Sequence, residues 1–288
     1  MTFIQDNYGR VVKFFTEKIC DFAMAISELF IKKNLQKKWF IFRRSQVLSI
    51  EEYREIFRFM HRIGGCCTLL TRSEAEACSR LVKALGFPSH HDPQKNWDTL
   101  KSLFYVLDKT NVSSPVLDAG SGGSSAILRW LSALGYQQLY ACDIRPIHDR
   151  AYRSQGIKFS VQDLSRTDYP DHFFHAVTCI SVIEHGVDLH GFIKEMSRIL
   201  KTGGVLLISM DYWSEPIDCS GIYPYGKAMG EMKIFGPEQL HTLISLAQCN
   251  GFSLCAPLDL KTRERAVRWE RVQREYTFAF VAMEKIAN

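Results

Sequence analysis

The chain has 288 residues, of which 46% are apolar and 23% charged, and its formal net charge is +5. The composition is that of a globular protein with a sizeable core, and the mild positive charge does not demand an anionic partner. The nine cysteines form no C-x-x-C motif, which argues against a disulfide framework or a zinc site and favours the cytoplasm. The first apolar run, residues 19–31, is too short to span a bilayer and contains two acids.

The N-terminal third of the chain shows helical spacing and no convincing alternation. The apolar residues that carry this spacing are Phe14, Phe15, Ile19, Phe22, Met24, Ile26 and Phe30. Two more helices are predicted at 51–61 and 73–85, and Gly86 followed by Pro88 ends the second. We predict that residues 1–94 form a helical cap or lid and that residues 95–288 form the core.

A basic and aromatic stretch lies within the N-terminal segment. The run Trp39-Phe40-Ile41-Phe42 is flanked by cations with no acid among them: Lys32, Lys33, Lys37, Lys38, Arg43 and Arg44. Such a stretch is typical of peripheral contact with an anionic membrane surface or of nucleic-acid binding. A helix with a solvated basic face is the favoured alternative, and nucleic acid is not expected as a partner because no dedicated nucleic-acid domain precedes the core.

Strands and helices alternate after residue 95. Strands are predicted near Val116 and over 139–143, 157–162, 176–183, 205–210, 252–258 and 276–283, with helices over 97–107, 126–134, 190–200 and 237–249. This alternation predicts an α/β fold with a mainly parallel sheet covered by helices on both faces. The last two strands have no clear helix between them, which predicts an antiparallel hairpin at the end.

The most informative stretch is Pro115-Val116-Leu117-Asp118-Ala119-Gly120-Ser121-Gly122-Gly123-Ser124. A short apolar run ends in Asp-x-Gly-x-Gly, and an amphipathic run follows at once, which predicts a strand, a tight turn and a helix. Glycine lets the backbone turn sharply and lets a ligand approach closely, and the helix N-terminus offers unpaired N–H groups. We therefore expect this turn to bind a nucleotide-like cofactor.

Two kinds of cofactor fit such a turn. A nicotinamide fingerprint needs a third glycine, where this chain has Ser125, and an acid about 20 residues further on. Asp143 ends the second strand and suits the ribose of either cofactor. Asp118 would repel a pyrophosphate and suits a cofactor with a cationic amino-acid end. Asp163 ends the third strand and can accept a hydrogen bond from an exocyclic amine such as that of adenine.

Together with three further segments, these residues resemble the class I S-adenosylmethionine-dependent methyltransferases of the broad small-molecule type (methyltransferase type 11-like). The segments are 171–177, 181–185 and 200–206, in the family's order and spacing. The resemblance covers roughly the last two-thirds of the chain. It implies a Rossmann-like, seven-stranded, mostly parallel sheet whose last strand is antiparallel. Thr202 departs from the family, which most often has proline in that turn, away from the chemistry.

The resemblance also implies which residues contact the cofactor, S-adenosyl-L-methionine. They lie at the ends of successive strands: Asp118, Gly120, Ser121, Gly122, Asp143, Ile144, Asp163, Leu164, Ile180 and Ser181. The group at the glycine turn would surround the methionine part. The acids that end the second and third strands would hold the ribose and the adenine, and the last pair would line the methyl-donor side.

Two residues are candidates for catalysis. His185 follows Glu184 just past the fourth strand, and its ordinary pKa suits a general base; the alternative is that both residues only orient the loop. Tyr212 begins an aromatic insertion at about 211–235, which we predict to contact the acceptor because such insertions face the ligand crevice. The alternative is a surface loop that packs its own aromatics. The adjacent His90 and His91 indicate a solvated linker, and no metal is expected.

The predicted function is methyl transfer from S-adenosyl-L-methionine to a small-molecule acceptor, such as a secondary metabolite, a lipid-like compound or a sugar. A methyltransferase of RNA or protein and a nicotinamide oxidoreductase are alternatives. A third is a non-catalytic, regulatory protein that keeps the cofactor site, because function belongs to the site and not to the fold.

Overall fold

A computed structural model describes residues 63–286, and all of them belong to one compact unit of the chain, Phe59–Asn288. The helices predicted before residue 62 and the basic and aromatic stretch lie outside the described residues. Within residues 63–286, no helix combines the length and the apolar character that crossing a bilayer would take.

The helices alternate with strands along most of the described chain. The α-helices are α1 (Arg72–Ala84), α2 (Asn96–Lys109), α3 (Ala126–Ala133), α4 (Arg150–Arg153), α5 (Leu189–Ile199) and α6 (Pro237–Cys249), and short 3-10 turns lie at Pro93–Lys95 and Lys227–Met229. Local capping sets where several begin. Thr71, Ser125 and Asp188 each accept a hydrogen bond from a backbone N–H in the first turn of the helix that follows.

The strands form one sheet. They are β1 (Cys66–Thr68), β2 (Val116–Ala119), β3 (Leu139–Asp143), β4 (Ile157–Val161), β5 (Phe174–Ile180), β6 (Leu200–Tyr212), β7 (Phe252–Leu254), β8 (Leu258–Asp259), β9 (Val267–Trp269) and β10 (Arg274–Lys285). The strand order is β4-β3-β2-β5-β6-β10-β1-β8, and β7 and β9 also pair with β10. Strands β2 to β6 run parallel, whereas β10 runs antiparallel to β6.

Strand β2 lies between β3 and β5, so the chain leaves β2 toward one side of the sheet and later returns on its other side. In open α/β sheets a ligand crevice lies outside the carboxyl ends of the strands at such a reversal. The register places Asp118 of β2 beside Ala141 of β3 and Thr178 of β5. The loops that follow β2, β3 and β5 therefore start close together.

The core packs helices against the parallel strands. Helix α5 buries Phe192, Ile193, Met196 and Ile199 against this sheet, and α6 adds Leu240 and Leu243. Burial of each such side chain contributes about 1.5–3 kcal/mol. Strand β5 is apolar and buried over most of its length, as expected of a parallel strand covered on both faces.

The predicted fold class is confirmed, but the number of strands is wrong. The expected seven are β2 to β7 and β10, including the antiparallel pairing of β7 with β10. Strands β1, β8 and β9 are additional. Each has only two or three residues, which is too short to show a period of two in the sequence.

Two of the elements before residue 95 are built into the same unit as the residues after it. In β1, Cys67 pairs with Phe280 of β10. In α1, Glu74 accepts a hydrogen bond of 3.1 Å from the indole N–H of Trp97 in α2. The cap that we predicted for residues 1–94 is therefore part of the sheet unit over 63–94, and the lid role concerns residues outside the described part of the chain.

Candidate functional site

A cavity of about 660 Å³ opens at the carboxyl ends of the parallel strands. One part, the glycine-turn half, is lined by Gly120, Ser121, Gly122, Asp143, Ile144, Asp163 and Leu164. The other part, the acidic half, is lined by Lys95, Glu184, His185, Asp211, Tyr225, Trp269 and Tyr276. Ile180 and Ser181, at the end of β5, also line the cavity. Most of the residues predicted from the sequence are therefore brought together here.

The turn after β2 requires glycine at one position for two reasons. Gly120 has a φ of +79°, and a Cβ on it would lie 2.5 Å from a methyl carbon of Val182. Its N–H and that of Ser121 both donate to the carbonyl of Cys142, at 2.9 Å. Gly122 has a φ of +55°, but a Cβ there would meet nothing within 4 Å, because this glycine faces open space. The turn is thus packed on its inner side and open on its outer side.

Tyr152 of α4 braces this turn, and the sequence analysis missed it. Its hydroxyl accepts a hydrogen bond of 2.8 Å from the Ser125 N–H and lies 3.1 Å from the carbonyl oxygen of Gly122. The side chain is almost fully buried. No spacing rule links a tyrosine in a separate short helix to a glycine turn, so the sequence carried no signal for this contact.

Asp143 connects the turn to the end of β3. One carboxylate oxygen accepts a hydrogen bond of 3.0 Å from the Gly122 N–H, and the other accepts one of 2.9 Å from the Arg145 N–H. Each oxygen keeps a lone pair that a ligand hydroxyl can use. Ile144, beside it, is 50% exposed at the cavity. A polar anchor next to an exposed apolar side chain suits a sugar joined to a flat ring.

Asp163 lies in the same half of the cavity. The N–H and hydroxyl of Ser165 both donate to one of its carboxylate oxygens, at 2.9 and 2.7 Å, and they lower the pKa of Asp163. The carboxylate is therefore ionised at neutral pH, with its second oxygen available to an exocyclic amine. Leu164 is buried beside it.

Asp118 does not line the cavity, contrary to the sequence prediction. Its carboxyl is buried beneath the turn and accepts a hydrogen bond of 2.6 Å from the Thr178 hydroxyl on β5. Burial raises the pKa of Asp118 to about 6, against hydrogen bonds from Ser125 and Thr178 that lower it. Its role in this structure is to tie β2, β5 and the start of α3 together under the turn.

The end of β5 carries an unusual backbone. Ser181 has a φ of +52°, in a region that residues other than glycine seldom occupy, and such residues cluster at functional sites. The Lys95 ammonium donates to the Ser181 hydroxyl and lies 4.5 Å from the centre of the Phe278 ring. Lys95 precedes α2 in a segment without a motif, so the sequence analysis missed it.

Three buried acids surround that lysine. Asp98 accepts a hydrogen bond of 2.8 Å from the Ser209 hydroxyl, and burial raises the pKa of Asp98 to about 6. Burial raises the pKa of Asp211 to about 7, and that of Glu184 well above its ordinary value. Burial lowers the pKa of Lys95, but the attraction of the nearby acids has the larger combined effect, so the pKa of Lys95 is raised.

His185 faces aromatic rings at the edge of the acidic half. Its ring centre lies 4.8 Å from that of Tyr225 and 6.2 Å from that of Trp269. Burial lowers the pKa of His185 to about 4, with Lys95 and Arg145 adding to the effect. The imidazole is therefore neutral near pH 7, and its buried Nδ1 has no hydrogen-bond partner among the described residues.

Tyr212 does not line the cavity, where the sequence prediction placed it. It is fully buried in the hydrophobic core at the end of β6. Neighbouring side chains of a strand point to opposite faces, and Asp211 occupies the cavity side instead. The sequence prediction chose the correct strand end but the wrong face, because the exact end of β6 fixes which residue points inward.

The insertion after β6 contributes Tyr225 and Met229 to the cavity wall. Its backbone lies directly on the loop after β5. A Cβ on Gly186, whose φ is +81°, would lie 2.3 Å from the Met229 carbonyl oxygen. The predicted linker residues His90 and His91 also line the cavity, with their ring centres 4.1 Å apart and the ring planes tilted by 33°. Within residues 63–286, no group of three side chains is arranged to hold a metal ion.

Comparisons with known proteins agree with this geometry. Residues 117–208, from β2 into β6, match a family model described as a methyltransferase domain. A ubiquinone biosynthesis O-methyltransferase from Xanthomonas oryzae pv. oryzae is 32% identical over 127 residues, which cover 41% of this chain and 52% of that protein. The chain thus spans about half the length of the curated relatives that it matches.

Solved structures share the fold at low sequence identity. The [4+2]-cyclase SpnF has a TM-score of 0.51 and 17% identity, over 78% of this chain and 100% of that chain. The Haemonchus contortus phosphoethanolamine N-methyltransferase 2, solved with S-adenosyl-L-methionine, has a TM-score of 0.51 and 14% identity, over 75% and 58%. At these identities the likeness shows the fold alone.

The parallel sheet, the cavity where its strand order reverses and the glycine turn define a Rossmann-like domain of the class I methyltransferase type. The match over residues 117–208 identifies this part of the chain as a methyltransferase domain. The family resemblance seen in the sequence is confirmed.

Substitution of the packed glycine should destabilise the protein more than substitution of the open one. Gly120→Ala adds a Cβ against Val182 at a positive φ, and we expect a loss of about 2–4 kcal/mol in the free energy of unfolding. Gly122→Ala is the matched control, with an expected loss of about 1 kcal/mol. Urea unfolding measures both. Equal losses would contradict a steric cause, as would a failure of Val182→Ala to recover part of the Gly120→Ala loss.

The buried carboxyl under the turn should give stability a pH dependence. Because the folded-state pKa of Asp118 is raised, its contribution is fully present below about pH 4 and is lost as pH rises through about 6. We expect the unfolding free energy of wild type relative to Asp118→Asn to fall by about 1–3 kcal/mol from pH 4 to pH 7.

Asp163→Asn is the control for this measurement. The pKa of Asp163 is lowered, so the carboxylate is ionised throughout that pH range and the difference from wild type should stay nearly constant. Parallel curves for wild type and Asp118→Asn would contradict the placement of Asp118 beneath the turn.

Proposed function

We propose that this protein transfers a methyl group from S-adenosyl-L-methionine to a small-molecule acceptor. The observation that carries the proposal is one continuous cavity. It joins an open glycine turn with two carboxylates to a second region of acids and aromatic rings. The first region has the chemistry to hold a nucleoside with an amino-acid tail, and the second has room for the molecule to be methylated.

The residues of the glycine-turn half fit the cofactor. Gly122 leaves space for a ligand beside the main chain, and the remaining lone pairs of Asp143 suit the two ribose hydroxyls. Asp163 and Leu164 offer a hydrogen-bond acceptor and an apolar surface to the adenine. Ser181, with its strained backbone, would face the methyl-donor side. When bound, the cofactor supplies an electrophilic methyl group on a positively charged sulfur.

The protein's part in the reaction is then positioning and, for some acceptors, the removal of a proton. His185 remains a proposed base, although its lowered pKa makes it a weak one. Asp211 lines the same half of the cavity with a pKa of about 7, which suits proton transfer near neutral pH better. We propose that Asp211 serves as the base where the acceptor has to lose a proton.

A small acceptor is favoured by the size of the cavity and by the curated relative. About 660 Å³ lies within the range of small-molecule sites and has to hold both cofactor and acceptor. The relative in Xanthomonas oryzae is named for an O-methylation in ubiquinone biosynthesis, and that acceptor is a small molecule. A [4+2]-cyclase shares this fold, so the fold alone does not decide the reaction.

Calorimetric titration with S-adenosylhomocysteine tests the cofactor site. We expect micromolar binding to wild type, weakened by about 1.5–3 kcal/mol in Asp143→Ala through the loss of charge-assisted hydrogen bonds. Asp168→Ala is the control, because Asp168 is an exposed acid that does not line the cavity.

Two outcomes would count against the proposal. Unchanged affinity in Asp143→Ala would remove Asp143 from the ribose site. If wild type bound no S-adenosylhomocysteine but bound NADH, the site would belong to a nicotinamide enzyme instead.

A further inference from the structure

Glu184 differs from the other buried acids of the described residues. It is 0% exposed, and within residues 63–286 neither carboxylate oxygen has a hydrogen-bond partner within 3.5 Å, although the backbone N–H groups of Glu184 and Asp211 lie near enough to act on its pKa. Asp98, Asp118 and Glu195 are also buried, but each accepts a hydrogen bond from a hydroxyl. A buried carboxyl without a partner costs about 1–3 kcal/mol or more, so an acid at a cavity wall is most simply explained by a ligand that satisfies it.

The charge balance around Glu184 favours a cation. Two further acids, Asp98 and Asp211, lie close enough to raise the pKa of the one lysine among them. The Lys95 ammonium donates to the Ser181 hydroxyl, and it forms no ion pair within 4 Å with any of these acids in the described residues. Arg145 and Arg268 also line the cavity, but their ion pairs are with acids outside this group, at Asp143, Glu270 and Glu275. The repulsion between Glu184 and Asp211, which helps to raise the pKa of Glu184, is therefore one that a second cation between them would relieve.

Aromatic rings complete the surroundings. Tyr225 and Trp269 have ring centres 6.3 Å apart, and His185 and Tyr276 line the same half of the cavity. Electron-rich ring faces within about 6 Å attract ammonium groups, especially where water is excluded. An anionic acceptor would be repelled here, and a hydroxyl would bring only one donor to a site with several unused acceptor positions.

We propose that the acidic half binds the protonated amine of the methyl acceptor. The ammonium donates to Glu184 and Asp211 and lies against the rings of Tyr225 and Trp269. This inference rests on the proposed function, because it names the class of acceptor for the same site. It goes beyond that function in placing nitrogen, and not oxygen or carbon, at the methylated position.

The proposal requires one proton transfer before nitrogen can react. The ammonium gives a proton to a carboxylate of the pair Glu184 and Asp211, which leaves a neutral amine with a free lone pair and a neutral carboxylic acid. In the transfer itself the nitrogen lone pair would form the bond to the methyl carbon, the electrons of the broken carbon–sulfur bond would stay on sulfur, and S-adenosylhomocysteine would be the leaving group. The two acids thus serve first as the recognition group and then as the proton acceptor.

Two isosteric probes test the amine preference without an identified acceptor. Benzylamine is a cation near neutral pH, whereas benzyl alcohol has the same shape and no charge. Ligand-observed NMR titrations on the protein saturated with S-adenosylhomocysteine should show that benzylamine binds about tenfold or more tightly, about 1.4 kcal/mol. Glu184→Gln should remove that preference and leave the affinity for benzyl alcohol within about twofold.

Glu284→Gln provides the matched control. Glu284 is a partly exposed acid in an ion pair of 2.9 Å with Lys109, away from the cavity, and its loss should not change the benzylamine affinity. The melting temperature separates a ligand site from a structural one. Glu184 has no partner to lose, so Glu184→Gln should melt at the same temperature as wild type or higher, whereas a structural role predicts a lower one.

Several outcomes would overturn the proposal. Equal binding of both probes would do so, and so would a benzylamine preference that survives in Glu184→Gln. Loss of benzylamine binding when S-adenosylhomocysteine is added would assign the acids to the cofactor's own amine. If S-adenosylhomocysteine itself does not bind, the proposed function fails, whereas a benzylamine preference in the free protein would still support an amine site.

Discussion

The close approach of the β2 turn to the loop after β5 is the constraint on which the site depends. Gly120 lies so near Val182 that no side chain fits between them, and this contact holds two loops from neighbouring parallel strands together. The inner face of the turn is therefore fixed, and its outer face, at Gly122, is left open to the cavity. The hydrogen bonds of Asp143 and Tyr152 then hold the turn in that position. A ligand meets a surface that needs no rearrangement, which reduces the entropy lost on binding.

The carboxyl groups in the two halves of the cavity differ in their hydrogen bonding and in their burial. In the glycine-turn half, Asp143 and Asp163 accept hydrogen bonds from nearby backbone N–H groups. In the acidic half, Glu184 and Asp211 are buried, and burial raises the pKa of both. The first arrangement favours steady anchoring by fixed carboxylates. In the second arrangement, burial of the carboxyl groups costs free energy, and a bound ligand that donates hydrogen bonds to them reduces this cost. Such a loss of stability is common at functional sites.

The sequence was informative wherever a residue's role depends on its local position. The glycine turn and the acids that end β3 and β4 follow from strand ends, and the structure places them all at the cavity. Predictions failed where the role depends on which face a side chain occupies. At the end of β6 a shift of one residue exchanges Tyr212 for Asp211. For Asp118 the type of residue was informative, but its burial beneath the turn depends on packing with Thr178, 60 residues away in the sequence.

Contacts between distant segments were beyond the reach of sequence reasoning. Lys95 donates a hydrogen bond to Ser181, 86 residues further along the chain, and no sequence motif links the two positions. Strand β1 is a similar case, because its three buried residues can be identified as a strand only from their pairing with β10. That pairing bears on how the unit can be isolated as a fragment. A polypeptide started at residue 95, where the alternating pattern begins, would still pair β10 with β6 but would leave the other edge of β10 unpaired at Ala279 and Phe280. An unpaired strand edge invites association between molecules, so a recombinant fragment of this unit has to begin before Cys66.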